Sequence, residues 1–395
     1  MSLFANVALA PRDPILGLNE QFNADSRSTK VNLGVGVYYD EHGKLPLLNC
    51  VREAEAAMAA APKPRGYLPI DGILAYDRAV QALVFGSLLP QIATVQALGG
   101  TGAIKIGADF LKHLSPSARV LISDPSWENH RALFTQAGFA VDTYPYYDAE
   151  RRGIAFDAML ASLKAAAPGS IVVLHACCHN PSGYDLSPAQ WTAVVATCAA
   201  GGLTPFLDMA YQGFGLGLHE DGEAVRQFLE SGIAFFVSTS FSKSFSLYGE
   251  RVGALSVVCG SADETARVLS QLKIMIRTNY SNPPTHGGQI VAQVLADARL
   301  RALWEAELGG MRTRIKAMRV ALVSALKAAG VAQDLTFVTD QLGMFSYSGL
   351  NAAQMQRLRS EFAVYGLDSG RICVAALNES NLPAVAAAMA AVMQG

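Results

Sequence analysis

Four short apolar runs, separated by stretches of helical periodicity, constrain this chain more than any other feature. They extend from Arg119 to Asp124, Ile171 to Cys177, Leu203 to Asp208 and Ala234 to Ser240. Each is apolar, most are rich in β-branched or aromatic residues, and each closes on polar ones, the pattern of a buried strand. Between them, Ala103, Ile106, Phe110, Leu111 and Leu114 share one helical face, and a second helix opens with Pro188, whose fixed φ suits a first turn. Strands joined through helices need crossovers of one hand, which give a mostly parallel sheet flanked by helices on both faces. The expected class is α/β. Sheets of this kind bind ligands at the carboxyl ends of their strands. Trp127, Asn180, Asp208 with Tyr211, and Ser240 to Lys243 stand at four such ends, which predicts one shared crevice.

A chain of 395 residues, 51% of them hydrophobic, exceeds one average domain. Past residue 310 the composition shifts to helices rich in Ala, Leu, Met and Arg, then to strand-like segments at Gly343 to Gly349 and Arg371 to Ala376. The expected organisation is an N-terminal arm (1–13), a large domain (47–309) and a smaller α/β domain made from 14–46 and 310–395. A balance of 31 basic against 33 acidic residues, with no basic tail, argues against nucleic acid. The N-terminus lacks the layout of a signal peptide, and no run approaches the roughly 18 apolar residues of a membrane span, so a cytoplasmic protein without membrane attachment is expected. The six cysteines form no disulfide framework. His175-Ala-Cys-Cys-His179 raises a metal site, but adjacent cysteines at a strand end would point to opposite faces and no second pair stands at zinc spacing; no metal is expected.

Gly99-Gly100-Thr101-Gly102, read as lying just before a helix, is a candidate phosphate cradle, because glycines admit an anion close to backbone N–H groups at a helix N-terminus. It lacks the GK[ST] of a P-loop, and Lys105 replaces the last glycine of a dinucleotide fingerprint, so a plain tight turn is an open alternative. Ser240-Phe-Ser242-Lys243 followed by Tyr248-Gly-Glu-Arg251 is more specific. It sets two hydroxyls and a guanidinium near a potential dianion, with an amine in an otherwise uncharged stretch suited to a depressed pKa and Schiff-base chemistry. Asp208, after a buried strand, needs a cationic partner unless it merely caps a helix, and Tyr211 follows one short turn later.

These segments, in this order, resemble the class I aminotransferases of the aspartate and aromatic-amino-acid (tyrosine) type. The resemblance spans the chain: LGVGVY from Leu33, YLPIDG from Tyr67, GGTGA from Gly99, DPSWENH from Asp124, CCHNPSG from Cys177, PFLDMAYQGF from Pro205, SFSKSFSLYGERVG from Ser240, RTNYSNPP from Arg277 and GRICVA from Gly370. It implies a fold-type I pyridoxal-phosphate-dependent transferase acting as a homodimer with shared sites. It also implies Lys243 as the covalent cofactor lysine, Asp208 on the pyridine nitrogen, Tyr211 and Asn180 on the phenolate oxygen, and Trp127 stacked on the ring. His130 would bond to Asp208 from behind. Gly100, Thr101, Ser240, Ser242 and Arg251 would hold the phosphate, joined by Tyr67 of the other subunit. Arg371 would clamp the substrate α-carboxylate, with Asn180, Trp127 and the Gly36 backbone, and Arg277 of the other subunit would reach a side-chain carboxylate.

Tyr39 and Leu45 resemble the apolar choices of aromatic-type members, whereas Val37, Thr101 and Asn282 resemble the aspartate type. The expected activity is ping-pong transfer of an amino group from tyrosine, phenylalanine or aspartate to 2-oxoglutarate, with aromatic substrates preferred. A strict aspartate aminotransferase is the alternative within the class. Outside it stand a nucleotide-binding oxidoreductase and a non-enzymatic cofactor-binding regulator, whose DNA-binding appendage would find no room before motifs that begin near residue 30.

Overall fold

The computed structural model describes residues 2–10 and 14–394. Of the expected arm and closing domain, positions 1, 11–13 and 395 lie outside the described residues. A seven-stranded sheet organises the middle of the chain, in the spatial order 92–98, 252–258, 235–240, 204–209, 171–175, 119–124, 140–145. The four expected strands appear as Arg119–Asp124, Ile171–His175, Thr204–Met209 and Phe235–Ser240, paired in parallel. Val252–Val258 runs antiparallel to both its neighbours, Phe235–Ser240 and Ile92–Leu98.

Two-sided burial explains the continuous apolar runs. Successive strand residues point to opposite faces, so Val172 and Leu174 enter one core while Ile171 and Val173 enter the other. Helix Gly99–Leu114 lies across strands 252–258 and 235–240 on the second face, where Phe206 stacks on Phe236 at 5.4 Å. Full burial of each such side chain contributes roughly 1.5–3 kcal/mol, which leaves no stable arrangement with either face in water.

The closing segment carries helix Ala298–Ala328, started by the Asp297 carboxylate, which accepts from the N–H groups of Arg299 and Leu300, both at 2.9 Å. This helix runs unbroken through residue 310. Phe345–Tyr347 pairs antiparallel with Arg371–Cys373. The leading segment is bonded to the closing one: Val31–Asn32 pairs in parallel with Val364–Tyr365, and Cys373 N–H donates to the Leu33 carbonyl at 2.7 Å. All six cysteines are unpaired and buried. Among the described residues, no helix is long and apolar enough to cross a membrane.

Candidate active site

A cavity of about 370 Å³ opens where the sheet's strand ends meet the leading and closing segments. Gly36, Gly100, Thr101, Trp127, Asn180, Asp208, Tyr211, Ser240, Ser242, Lys243, Arg251 and Arg371 all line it. Twelve residues read from the sequence therefore meet at one place, although they are spread from position 36 to 371.

At one end lies an anion-sized recess. Helix Gly99–Leu114 begins at the first glycine, so the glycines form its opening turn and do not precede it as expected from a start near Ala103. Their exposed N–H groups and the helix dipole favour negative charge. A side chain at Gly99, where φ is +67°, would come within 2.6 Å of the Arg251 guanidinium, and one at Gly100 within 3.3 Å of Ser240. Arg251 Nη1 donates to the Ser242 hydroxyl at 3.3 Å. Small residues, two hydroxyls and an arginine thus enclose a site that fits a phosphate.

At the base, Asp208 sits inside its strand, with His175 and Ser238 opposite it on the two neighbouring strands. The Ser238 hydroxyl donates to its Oδ1 at 2.9 Å, and His130 Nε2 meets its Oδ2 at 3.0 Å. Burial works to raise the Asp208 pKa, but the hydrogen bond and charge of His130, the neighbouring His175 and the Ser238 bond outweigh it and hold the pKa below the ordinary value. His130 Nε2 donates to the ionised Asp208, and its Nδ1 meets the Ser126 hydroxyl at 2.9 Å. His130 lies behind Asp208 and does not line the cavity. A buried anion here suits a protonated ring nitrogen.

Lys243 faces the cavity with its ammonium 4.8 Å from the centre of the Tyr211 ring. Burial brings its pKa down to about 8, against the pull of Asp208 in the other direction and with a small push from Arg251. Such an amine is largely cationic at neutral pH yet deprotonates easily, as a nucleophile and proton carrier must. Burial also raises the Tyr211 pKa, so its phenol stays a neutral donor.

Opposite stands Arg371, 1% exposed. Nη1 donates to Asn180 Oδ1 at 3.0 Å and Nη2 to the carbonyl of Gly34, while Nε has no partner among the described residues. The Phe345 ring covers one guanidinium face at 4.4 Å. A buried cation held only by neutral acceptors calls for an anion.

Two expected residues stay outside this cavity. Tyr67 is 95% exposed, and Arg277, on the last turn of helix Ala262–Asn279, is exposed and donates to Ser281. Both are those assigned to a neighbouring subunit. Val37 lines the cavity; Tyr39 and Leu45 do not.

His175, Ser238, Tyr248 and Phe345 went unassigned by sequence, and all but Ser238 line the cavity. Ser238 carried a usable signal, since it lies two residues before Ser240 on one strand and so on the same face. His175 stood out in the His175-Ala-Cys-Cys-His179 stretch and Tyr248 in the segment that follows Lys243, though neither was given a role in this site; Phe345 had no signal of its own. One argument from alternation fails: the strand ends at His175, Cys178 turns to φ +52°, and a sulfur from each of Cys177 and Cys178 comes within 4.8 Å of an Asp221 oxygen. Asp221 accepts from the N–H groups of Gly213, Gly215, Leu216 and Gly217. His130, His175 and Asp208 form a second group of three donor atoms within that distance.

Comparison with known proteins agrees with this chemistry. The family model for aminotransferase class I and II matches residues 28–389. An aspartate aminotransferase of Pseudomonas aeruginosa is 61% identical over the full length of both chains, and an aromatic-amino-acid aminotransferase of Escherichia coli is 52% identical over 99% of this chain and 100% of its own. A crystal structure of an aromatic-amino-acid aminotransferase from Burkholderia pseudomallei, covalently bound to pyridoxal phosphate, superposes with a TM-score of 0.97 at 64% identity, covering all of both chains. With a half-buried lysine, a buried ionised aspartate and an anion recess gathered at the strand ends of its mostly parallel sheet, this chain belongs to the class I and II aminotransferases.

Proposed function

We propose that this protein is a cytoplasmic, homodimeric aminotransferase that moves the amino group of aspartate, tyrosine or phenylalanine to 2-oxoglutarate, with aromatic donors preferred. Its cofactor is pyridoxal phosphate, which when bound supplies an electron sink for the carbanion left at the substrate α-carbon. The observation that carries the reading is the pairing of Lys243 with Arg371 across one cavity: an amine able to lose its proton faces a buried guanidinium whose Nε has no partner among the described residues.

In this reading Arg371, with Asn180, Trp127 and the Gly36 backbone, holds the substrate carboxylate and aims the Cα–H bond at Lys243. Lys243 would hold the cofactor, and its amine would carry a proton away from and back to the substrate side as base and acid. Asp208, kept ionised by His130 and Ser238, would keep the pyridine nitrogen protonated. Tyr211 and Asn180 would donate to the ring oxygen, Trp127 would pack on the ring, and Gly100, Thr101, Ser240, Ser242 and Arg251 would hold the phosphate. Tyr67 and Arg277 are exposed on their own chain, which suits service in the site of a partner subunit. Within the division into an arm, a domain of 47–309 and a smaller domain of 14–46 with 310–395, the joining of 14–46 to the closing segment is supported by the pairing of residues 31–32 with 364–365.

The test is steady-state turnover with aspartate, tyrosine and phenylalanine in wild type and Arg277→Leu. The wild type accepts all three, and the substitution costs aspartate on the order of 2–5 kcal/mol in transition-state binding while sparing phenylalanine. Wild-type activity confined to aspartate defeats the aromatic preference, and equal losses for both substrates remove Arg277 from carboxylate recognition.

A further inference from the structure

Arg319, on helix Ala298–Ala328, is 1% exposed and takes no part in the cavity lining. Its guanidinium makes no ion pair among the described residues. Nη1 donates to the Val338 carbonyl at 3.3 Å and to the Ser346 hydroxyl; Nη2 donates to the carbonyls of Gly343 and Phe345 at 2.8 and 2.7 Å. Desolvating a cation without a counter-ion is costly, and an apolar side chain of similar size would fill the same space at less cost. All four acceptors fall on residues 338–346. The fork therefore fixes the path of one segment.

That segment delivers Phe345 to the cavity. The Phe345 ring lies 4.4 Å from the Arg371 guanidinium and edge-on to Tyr211 at 5.8 Å, and a side chain at Gly36 would come within 2.7 Å of it. Moving the backbone at 343–346 thus moves the wall against which Arg371 and the Gly36 loop are set. We infer that Arg319 is a positioning residue for substrate binding: by clamping residues 343–346 it seats Phe345, and through Phe345 it orients Arg371. This rests on the reading of Arg371 as the carboxylate clamp. Lysine cannot replace the fork, because an ammonium lacks the planar set of donors that reaches four acceptors at once.

The experiment compares the holoenzymes of wild type, Arg319→Lys, Ser346→Ala and, as a control on the carboxylate reading, Arg371→Leu. Arg319→Lys raises KM for the amino acid and the oxo acid on the order of ten-fold, as a misplaced binding group does. Its kcat stays within about threefold of wild type, and its cofactor affinity and visible absorption spectrum are unchanged. Ser346→Ala shifts KM in the same direction by roughly two- to threefold, as expected for one lost hydrogen bond. Wild-type KM in both variants, with heat stability alone reduced, makes Arg319 a core prop and overturns the inference. A fall in cofactor affinity or kcat at unchanged KM overturns it too. Should Arg319→Lys fail to fold, Ser346→Ala decides by the same KM criterion. Unchanged KM in Arg371→Leu strikes the carboxylate reading itself, and the inference falls with it.

Discussion

Lys243 has two properties that single residues rarely combine: a cavity-facing amine and a pKa brought down to about 8 by burial, from an ordinary value near 10.5. The first leads to a prediction on turnover. Lys243→Ala lowers kcat on the order of 10³-fold or more, within the range of a lost acid–base catalyst, while the phosphate and ring-nitrogen contacts keep the cofactor bound after gel filtration. Retention of a tenth of the wild-type rate would remove Lys243 from proton transfer. The second concerns stability of the cofactor-free protein. Between about pH 8 and 10.5 the unfolded chain holds a proton at this lysine that the folded chain has released, so stability rises with pH across that window, and the penalty of a buried ammonium is complete below it. Lys243→Met is accordingly more stable than wild type at pH 7, and denaturant titration shows that advantage shrinking by pH 10.5. A difference independent of pH would disprove burial as the cause.

At the scale of elements, the first turn of helix Gly99–Leu114 and the strand pair 204–209 and 235–240 assemble most of the site. The helix makes its N–H groups available only because glycines let Arg251 and Ser240 approach. Gly99→Ala adds a methyl at φ +67°, a conformation that costs about 1–2 kcal/mol for any L side chain, and sets it against the Arg251 guanidinium. The expected result is a loss of cofactor affinity on the order of ten-fold, read by titrating the cofactor-free protein with pyridoxal phosphate and following absorbance. Unchanged affinity would show that Arg251 takes no part in holding the phosphate. Strand limits were readable to within two residues where runs were apolar and ended on polar residues, as at Arg119–Asp124. The antiparallel placement of Val252–Val258 was not, because hydrogen-bond direction leaves no mark on the composition of a strand buried on both faces.

For the whole molecule, the separation of Tyr67 and Arg277 from the cavity sets the decisive test. If both serve a partner's site, Lys243→Ala and Arg277→Ala subunits, each inactive alone toward aspartate, recover activity when unfolded together and refolded. Random pairing makes half the dimers mixed, and each mixed dimer has one intact site, so recovery reaches up to roughly a quarter of wild type. No recovery at any mixing ratio, with heterodimers confirmed by mass, would place both residues in one chain's site. The same experiment measures assembly, since a protein that sediments as a monomer could not complement at all.

Local sequence was enough to determine the class of fold and to point to residues that line the main cavity. Periodicity follows directly from how strands and helices bury their faces, and lysine, aspartate, arginine and glycine at strand ends advertise charge that must be partnered. Relations between distant segments needed the tertiary structure. Ser238 beside Asp208, Phe345 over Arg371 and Arg319 under Phe345 depend on cross-strand register and helix packing, which bring together residues 26 to 30 positions apart on different elements. A buried arginine and a solvated one look alike in sequence; only the packed core shows which has lost its water and must find its acceptors within the protein.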